Sequence, residues 1–461
     1  MRAEELGLTL TEAKELLRGL QQAVVAEQTA AFAEEQTHCP SCGKHRARKG
    51  QHEIVFRTVF GKVNLQSPRY YRCSCSTANV KSVSPLADIL AQRTAPELAY
   101  LESKFAGLMS YGLTVSVLSE VLPLDAKINT TSVRRQVETI AQRMEGELGE
   151  ERVSFIDTCQ LDLDKLPPPG PPLTVGLDGG FVHARDEKSR QAGSFEVIVG
   201  KSMVEEGGAK CFAFVNREDA KPKRRLFEVL KSQGLQPNQQ IMFLSDGGDT
   251  VRDLQMYLSP ESEHWLDWFH ITMRLTVMGQ FVKGLATELE AADKKSTTQA
   301  EEEEADEQLN AGDVARWLER LKWHLWHGNV RRALQVIDWL EEDFEDASSR
   351  FVEKGGKLYK YKAIQEFGHY ISVNRAFVPN YGDRYRHGET ISTAFVESTV
   401  NQVVSKRMVK SQQMRWTQRG AHLLLQVRTQ VLHGDLRGTF CRWYAGMKCD
   451  AGNEQLKSAA A

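Results

Sequence analysis

The sequence predicts a mixed α/β domain with strand order β-β-β-α-β-α-β-α, preceded by a cysteine-containing module and helices. Three apolar runs of strand length come first, LTVGLDG, SFEVIVGKSMV and KCFAFV. Helical and extended patterns then alternate through KRRLFEVLKSQGL, IMFLSDG, DTVRDLQMYL and EHWLDWFHI. Three strands followed by alternating helices and strands are typical of a mixed sheet with an antiparallel start.

Length and composition indicate a soluble, multi-unit globular protein. The chain has 461 residues, 41% hydrophobic residues and a formal net charge of -2, so two to four structural units are expected. Basic clusters at 221–225 and 406–428 keep nucleic acid open as a partner. No run reaches the roughly 18 apolar residues of a membrane helix, and the charged N-terminus is unlike a signal peptide. We therefore expect a cytoplasmic protein without a membrane partner.

Two close cysteine pairs predict a structural zinc site near the N-terminus. Cys39-Pro-Ser-Cys42-Gly forms one knuckle of a zinc ribbon, and Cys73-Ser-Cys75 forms the second. Four thiolates complete a tetrahedral Zn²⁺ site, and the strand-like residues between the pairs fit a ribbon. Because the second pair is less specific, the alternatives for one ligand are His38, His45 and His52.

The stretch after the cysteine module has the pattern of a helix-turn-helix. LTVSVLSEVLPL precedes NTTSVRRQVETIAQRM, with Asn129 or Thr130 as the N-cap of the second helix. Arg134 and Arg135 then lie on its exposed face. Such patterns are short, and a plain helical bundle is the competing interpretation.

The predicted domain boundaries follow from changes in the sequence pattern and from the prolines of DKLPPPGPP. Consecutive prolines fit neither a helix interior nor a sheet interior. The predicted domains are an N-terminal helix at 1–35, a zinc ribbon at 36–85, a helical DNA-binding region at 86–163, a Pro-rich linker at 164–172, the first part of an α/β core at 173–271, a helical insertion at 272–388, and a helix with a basic C-terminal region at 389–461.

Three acidic residues are the candidate metal ligands of the α/β core. Asp178 and Asp246 each close an apolar run ending in Asp-Gly-Gly, and the first and fourth strands of the predicted sheet are neighbours. Glu397 lies in an apolar helix, where an unpaired carboxylate is costly. Such a set can hold two Mg²⁺ or Mn²⁺ ions roughly 3.5–4 Å apart.

Each candidate has an alternative. Asp-Gly pairs are common in turns, and Asp249 and Asp253 lie close to the second acid. Glu389 competes with Glu397, although GETIS has the pattern of a helix start, where Glu is a normal capping residue.

These features together resemble the DDE transposases of bacterial insertion sequences, which have an RNase H-like catalytic core. The closest resemblance is to the Kra-type group, related to the Mutator-like superfamily. Asp267 and His270 in WLDWFH match the C/D-x-x-H motif of that superfamily, and VESTVNQVVSKRMVKSQQMRWT is similar to its glutamate-helix signature. The resemblance covers at least residues 170–435, including a helical insertion before the glutamate.

The resemblance implies roles for the candidate residues. It makes Asp178, Asp246 and Glu397 the catalytic, metal-binding triad and gives Asp267 and His270 a supporting role; packed core residues are the alternative for that pair. It implies hydrolysis at transposon ends and attack of the freed 3′-hydroxyl on target DNA. A dimer or larger homo-oligomer is expected on the same ground.

The basic segment after the glutamate predicts DNA contacts, with a base stacking on Trp416 while the cations neutralise phosphates. Its candidate residues are Lys406, Arg407, Lys410, Arg415 and Trp416, in addition to Arg134 and Arg135. The predicted function is therefore a metal-dependent DNA transposase that binds double-stranded terminal repeats. The alternatives are a non-catalytic zinc-ribbon DNA-binding regulator derived from a transposase and an RNase H-like nuclease without strand transfer.

Overall fold

The computed structural model describes most of the chain and divides it into two compact units. The described residues are 2, 6–75, 81–124, 128–152, 155, 159–185, 193–203, 208–248, 262–281, 311–353, 361–409 and 414–447. Unit 1 comprises Met1–Glu147 together with Lys410–Ala461, and unit 2 comprises Leu148–Val409. This division differs from the predicted one, because the C-terminal segment belongs with the N-terminal unit.

The N-terminal part of unit 1 is a small sheet covered on one face by helices. Its elements are α1 (Leu10–Glu35), β1 (Arg48–Thr58), β2 (Gly61–Tyr71), β3 (Ser82–Val83) and α2 (Pro85–Ile89), with the antiparallel strand order β1-β2-β3. Ile54, Val63 and Leu65 form a core with Val25 of α1 and Leu86 of α2. A capping box between Thr9 and Glu12 starts α1, so local sequence fixes the start of the covering helix.

The rest of unit 1 is helical. It contains α3 (Pro96–Leu108), α4 (Tyr111–Val121), α5 (Thr130–Glu147) and the C-terminal helices Gln418–His433 and Leu436–Trp443. Helix α5 buries Val133, Val137 and Ile140 and packs against α3 and Gln418–His433. The Asn129 side chain accepts a hydrogen bond of 2.8 Å from the Ser132 amide, as predicted for the N-cap. The two predicted helices thus pack in a bundle to which the C-terminal segment contributes.

Unit 2 is built on a mixed five-stranded sheet. After α6 (Gln160–Leu163) come β4 (Leu173–His183), β5 (Ser194–Met203), β6 (Lys210–Val215), α7 (Pro222–Ser232), β7 (Ile241–Ser245) and β8 (Ser262–Leu266). The strand order is β6-β5-β4-β7-β8. The pairs β4–β5 and β5–β6 are antiparallel, whereas β4–β7 and β7–β8 are parallel. The first and fourth strands are neighbours, as the sequence predicts.

Two predicted features of unit 2 are placed differently. The fifth strand ends at Leu266, and residues 268–281 are helical, so WFHI belongs to a helix. The Pro-rich linker lies inside unit 2, where Asn238 and Gln239 donate hydrogen bonds of 2.9 and 2.7 Å to the carbonyls of Pro167 and Pro171. The helix predicted for DTVRDLQMYL lies outside the described residues.

A second core in unit 2 is helical and belongs to the predicted insertion. Its helices are 268–281, Ala311–Trp326, Val330–Glu353, Tyr361–Val373 and Tyr381–Arg386. Leu266, at the end of β8, and Ile391, just before the last helix, are buried in the same core. The insertion therefore packs against both the segment that leads into it, at Leu266, and the segment that follows it, at Ile391.

The last helix of unit 2, Ala394–Val400, carries Glu397 and is called the glutamate helix below. It continues as a π-helix over Asn401–Val409, and π-helical turns often occur at functional sites. Among the described residues, no helix combines the length and the apolar character that crossing a membrane requires.

Candidate functional site

Asp178 lies on β4, and Asp246 directly follows the neighbouring parallel strand β7. The register pairs Gly176 with Leu244, and two further residues along each chain lead to Asp178 and Asp246. Asp246 directly follows β7, and the amide of Gly248 donates a hydrogen bond of 3.0 Å to its Oδ1. The parallel pairing thus brings both acids to the same end of the β4–β7 ladder.

Asp178 does not close its strand, contrary to the prediction from the Asp-Gly-Gly pattern. Strand β4 continues to His183, and Asp178 is paired with Val199 of β5. Only the second Asp-Gly-Gly leaves its strand, where Gly247 adopts a φ of 84°. The two Asp-Gly-Gly segments therefore have different backbone conformations, because β4 continues to pair with the antiparallel strand β5 beyond Asp178.

The glutamate helix lies against β4 at the two glycines that flank Asp178. A Cβ atom at Gly176 would overlap Val396 Cγ2, and one at Gly180 would lie 3.2 Å from Val400 Cγ1. Residues two apart on a strand share a face, so Asp178 faces the helix between these two contacts. Glycine at both positions allows the close approach that brings Glu397 towards the acid pair.

Glu397 is exposed. The sequence had suggested instead a costly carboxylate surrounded by apolar residues of its helix. Its helix buries Val396 and Thr399, whereas Glu397 and Ser398 point to solvent. The apolar neighbours in sequence lie on the other side of the helix, so the carboxylate carries no large burial cost. Glu389, the alternative, lies before the helix and forms an ion pair of 2.8 Å with Arg384.

The pKa of Asp178 reports the proximity of the three acids. Burial is the main cause that raises the pKa of Asp178, and the charges of Asp246 and Glu397 raise it further. The charge of His270 and a hydrogen bond of 2.7 Å from the Gly179 amide act in the opposite direction. A half-buried acid next to two other acids is a site where a divalent cation relieves repulsion. We call Asp178, Asp246 and Glu397 the carboxylate triad.

All three side chains of the triad offer carboxylate oxygens, the ligand type that hard divalent cations take. Among the described residues, the carboxylate oxygens of the triad do not all lie within 4.8 Å of one another. A cation shared by all three would therefore require these side chains to move closer together.

Asp267 joins the end of β8 to the start of the glutamate helix. It is fully buried, and its Oδ1 accepts hydrogen bonds of 2.9 Å from the amides of Phe269 and Thr393. Its Oδ2 accepts a hydrogen bond from the Thr393 hydroxyl. The Thr393 carbonyl in turn accepts the amide of Glu397 at 3.2 Å. Asp267 is thus connected, through Thr393, to the glutamate helix, although Thr393 lies 126 positions further along the chain.

His270 lies between Asp267 and the triad. Its Nε2 is 3.6 Å from Asp267 Oδ2, and its charge acts on Asp178. Within the part of the chain that the structure describes, this buried nitrogen has no hydrogen-bond partner. Asp267 thus lies beyond hydrogen-bonding distance of His270, whereas it accepts hydrogen bonds from Thr393.

Sequence reasoning missed several residues at this site. No sequence pattern singled out Thr393, because it is one threonine in a loop. Gly176 and Gly180 were recognisable as glycines on the same strand face as the acid. The insertion contributes Asn374, whose Oδ1 would lie 2.5 Å from a Cβ at Gly247. A contact between residues so far apart in sequence leaves no local sequence pattern.

The four cysteines of the N-terminal module come together as predicted, and we call them the cysteine cluster. The Sγ–Sγ distances are 3.5 Å between Cys39 and Cys75 and 3.4 Å between Cys42 and Cys73. All four sulfur atoms lie within 4.8 Å of one another. A tetrahedral Zn²⁺ with Zn–S bonds of about 2.3 Å needs sulfur atoms about 3.8 Å apart, so the cluster fits a metal such as zinc.

The cluster also has a thiol prepared for ligation. Hydrogen bonds from the backbone amides of Ser41 and Cys42 lower the pKa of Cys39 to about 6. This is the knuckle geometry in which a tight turn directs N–H groups at sulfur. His38, His45 and His52 are not members of the cluster, so the described residues favour four thiolates over a histidine ligand.

The predicted DNA-binding residues separate into exposed and buried ones. Arg134, Arg135, Lys406 and Arg415 are exposed, and Arg134 pairs with Glu138 at 3.6 Å. Two predictions are wrong in this conformation: Arg407 is 2% exposed, and Trp416 is 8% exposed and contacts Tyr111. Neither can reach a nucleic acid, and Trp416 is core rather than a stacking platform. Lys410 lies outside the described residues.

The chain matches no protein-family model and no curated protein sequence.

Proposed function

We propose that this chain is a metal-dependent DNA transposase whose unit 2 is an RNase H-like catalytic core. The observation that carries the proposal is the carboxylate triad. Asp178 and Asp246 lie just beyond the paired ends of two adjacent parallel strand segments, and the glutamate helix crosses the glycines that flank the first acid. The strand order β6-β5-β4-β7-β8, with an antiparallel first half, supports the same fold.

The residues divide the work of phosphodiester chemistry. Asp178, Asp246 and Glu397 would hold Mg²⁺ or Mn²⁺, two ions per active site, which activate the attacking oxygen and stabilise the leaving oxygen. The sheet fixes two of the ligands, and Asp267 with Thr393 fixes the start of the helix that carries the third. Rigid support of this kind holds ligands in the geometry that catalysis requires.

The proposed reaction has two steps. Water attacks a phosphodiester at the transposon end, and the bond to the 3′ oxygen breaks to leave a 3′-hydroxyl. That hydroxyl then attacks a phosphodiester of target DNA: its oxygen forms a new bond to the phosphorus, the bond from this phosphorus to the 3′ oxygen of the target strand breaks, and that oxygen leaves as a 3′-hydroxyl. The N-terminal unit, with a structural Zn²⁺ in its cysteine cluster and exposed arginines on α5, supplies binding of the double-stranded ends.

A cleavage assay tests this proposal. With Mg²⁺ or Mn²⁺, the purified chain should nick DNA that carries the inverted repeats flanking its gene. Asp178→Asn, Asp246→Asn and Glu397→Gln should each abolish nicking while DNA binding persists. Glu389→Gln is the matched control, because that carboxylate pairs with Arg384 outside the triad, and it should cleave normally.

The products separate the proposal from its alternatives. A transposase joins the cleaved end to a second DNA molecule, whereas a nuclease of the same fold stops after hydrolysis. A regulator binds the repeats without cleaving them. Cleavage that survives in any triad variant would remove that residue from the site.

A further inference from the structure

Tyr370 carries a buried hydroxyl group that the proposed chemistry does not use. It lies on the helix Tyr361–Val373 of the insertion. Within the part of the chain that the structure describes, its oxygen is buried and has no hydrogen-bond partner. A buried polar group without a partner is unfavourable, and in a folded protein it calls for an explanation.

The end of this helix lies against the turn that follows Asp246. Asn374 Oδ1 would lie 2.5 Å from a Cβ atom at Gly247, the residue after Asp246. The Tyr370 carbonyl accepts hydrogen bonds from the Asn374 amide at 3.2 Å and from the Asn374 side chain at 2.9 Å. Residues four apart in a helical turn share a face, so Tyr370 is on the side of the helix that faces this turn.

The charges around Tyr370 indicate the same location. Burial is the main cause that raises the pKa of Tyr370, and the charges of Asp246 and Asp267 raise it further. The charge of Arg274 acts in the opposite direction, and its guanidinium carbon lies 4.2 Å from the centroid of the Tyr370 ring. The ring thus packs on the insertion core and on Arg274, within the electrostatic range of two acids.

Between these two acids, the described contacts favour Asp246 as an acceptor for the hydroxyl. A carboxylate has about four lone-pair sites. Asp267 accepts hydrogen bonds from the amides of Phe269 and Thr393 and from the Thr393 hydroxyl. Among the described residues, Asp246 accepts one, from the Gly248 amide. Asp246 therefore has more capacity for a further donor.

We propose that the Tyr370 hydroxyl donates a hydrogen bond to Asp246 when a divalent cation binds the carboxylate triad, which makes Tyr370 a positioning residue. The inference rests on the proposed function for the metal site. The carboxylates must move closer together to share a cation, and this movement brings Asp246 to the hydroxyl. The hydrogen bond then holds the ionised ligand in place, as the outer partners of metal ligands do. The hydroxyl is thus unpaired without the cation and paired with it.

Tyr370→Phe tests this inference, because it removes the hydroxyl and keeps the ring. In full-length, zinc-loaded protein without Mn²⁺, its denaturant midpoint should equal or exceed that of the wild type, since no hydrogen bond is lost. Its Mn²⁺ affinity, measured by electron paramagnetic resonance, should fall about 10–100-fold. A purely structural role of the hydroxyl would not weaken metal binding while leaving the fold as stable as before.

Tyr70→Phe is the matched control, since it makes the same change at a buried tyrosine whose hydroxyl has a partner. Tyr70 donates a hydrogen bond of 3.0 Å to the Ala33 carbonyl and belongs to unit 1, whereas the triad belongs to unit 2. This variant should lower the denaturant midpoint and keep the Mn²⁺ affinity of the wild type. The two substitutions therefore have opposite expected effects on stability and on metal binding.

The outcomes separate this positioning role from the proposed function. If the wild type binds Mn²⁺, the triad variants lose it and Tyr370→Phe binds it as tightly as the wild type, the positioning role is wrong and the metal site stands. If Tyr370→Phe is less stable than the wild type without Mn²⁺, the hydroxyl is already paired, and the inference is again wrong. If the wild type binds no Mn²⁺, the metal site and the role of Tyr370 both fall.

Discussion

Two glycines on β4 control how closely the glutamate helix approaches Asp178. In Gly176→Ala the new methyl group would overlap Val396 and Phe395, and overpacking of this kind costs about 1–3 kcal/mol. The helix would have to move away from the strand, and Glu397 would move with it. We predict reduced stability, measured by denaturant unfolding, together with loss of metal-dependent cleavage.

Gly179→Ala is the control for that substitution. It makes the same change on the opposite face of the strand, where a Cβ would meet Glu196 Oε1 at an ordinary 3.5 Å. Stability and cleavage should stay close to those of the wild type. If both alanine variants behave alike, close approach of the helix is not what position 176 provides.

The raised pKa of Asp178 predicts how metal-free stability depends on pH. A group whose pKa is higher in the folded state stabilises the fold when it is protonated, below its unfolded pKa of about 3.9. That contribution is lost as pH rises through the higher folded value. Asp178→Asn removes the ionised carboxylate, so the metal-free variant should melt above the wild type at neutral pH.

The difference between the two melting temperatures should shrink as the pH is lowered from about 7 to about 4. Scanning calorimetry of chelator-treated protein measures it. If Asp178→Asn melts below the wild type at every pH, burial and the neighbouring acids do not destabilise the ionised form of Asp178.

At the scale of elements, one buried carboxylate connects β8 with the glutamate helix. Thr393→Val keeps the size of the side chain and removes the hydroxyl that Asp267 accepts. A buried acceptor that loses its partner costs about 1–3 kcal/mol, and loss of an outer partner of a metal site typically weakens metal affinity about 10–100-fold. We predict both effects, measured by unfolding and by Mn²⁺ titration.

Thr393→Ser should restore metal affinity, because serine keeps the hydroxyl. A purely structural role would lower stability in the valine variant without changing the affinity of the folded protein for Mn²⁺. Equal Mn²⁺ affinity in the valine and serine variants would contradict the positioning role of Asp267.

Sequence pattern predicted the elements better than it predicted their faces. The apolar runs located β4 and β7, and their order made Asp178 and Asp246 neighbours. The same pattern misjudged the burial of Glu397, because helical spacing shows that a side is apolar and does not show which side another element covers. Trp416 was predicted as a contact from the basic residues around it, and their charge does not show that this side chain is buried. The bond from Asp267 to Thr393 joins residues far apart in sequence, and no local signal encodes it.

At the scale of the whole molecule, the sequence did not predict that the C-terminal segment belongs to unit 1. Arg437 forms an ion pair with Glu97 at 2.7 Å, and Arg428 donates a hydrogen bond to the carbonyl of Gly107. Both contacts hold the C-terminal helices in unit 1. They span more than 300 residues, whereas boundaries drawn from prolines and pattern changes follow the chain in order.

The cysteine cluster predicts about one Zn²⁺ per chain. Elemental analysis of the purified protein should find it, and the Cys39→Ser, Cys42→Ser double variant should lose it. Cys159→Ser is the control, since that exposed thiol lies outside the cluster, and it should retain the metal. A fully folded wild type without zinc would contradict a structural metal at this site.

Binding of Mn²⁺ to the carboxylate triad tests the central claim most directly, because it requires no knowledge of the DNA sequence. Electron paramagnetic resonance of Mn²⁺ titrated into zinc-loaded protein measures the bound fraction. The wild type and Gly179→Ala should bind Mn²⁺ alike, and Asp178→Asn, Asp246→Asn and Glu397→Gln should each lose most of this binding. Equal Mn²⁺ binding by the wild type and all three triad variants would contradict a shared metal site.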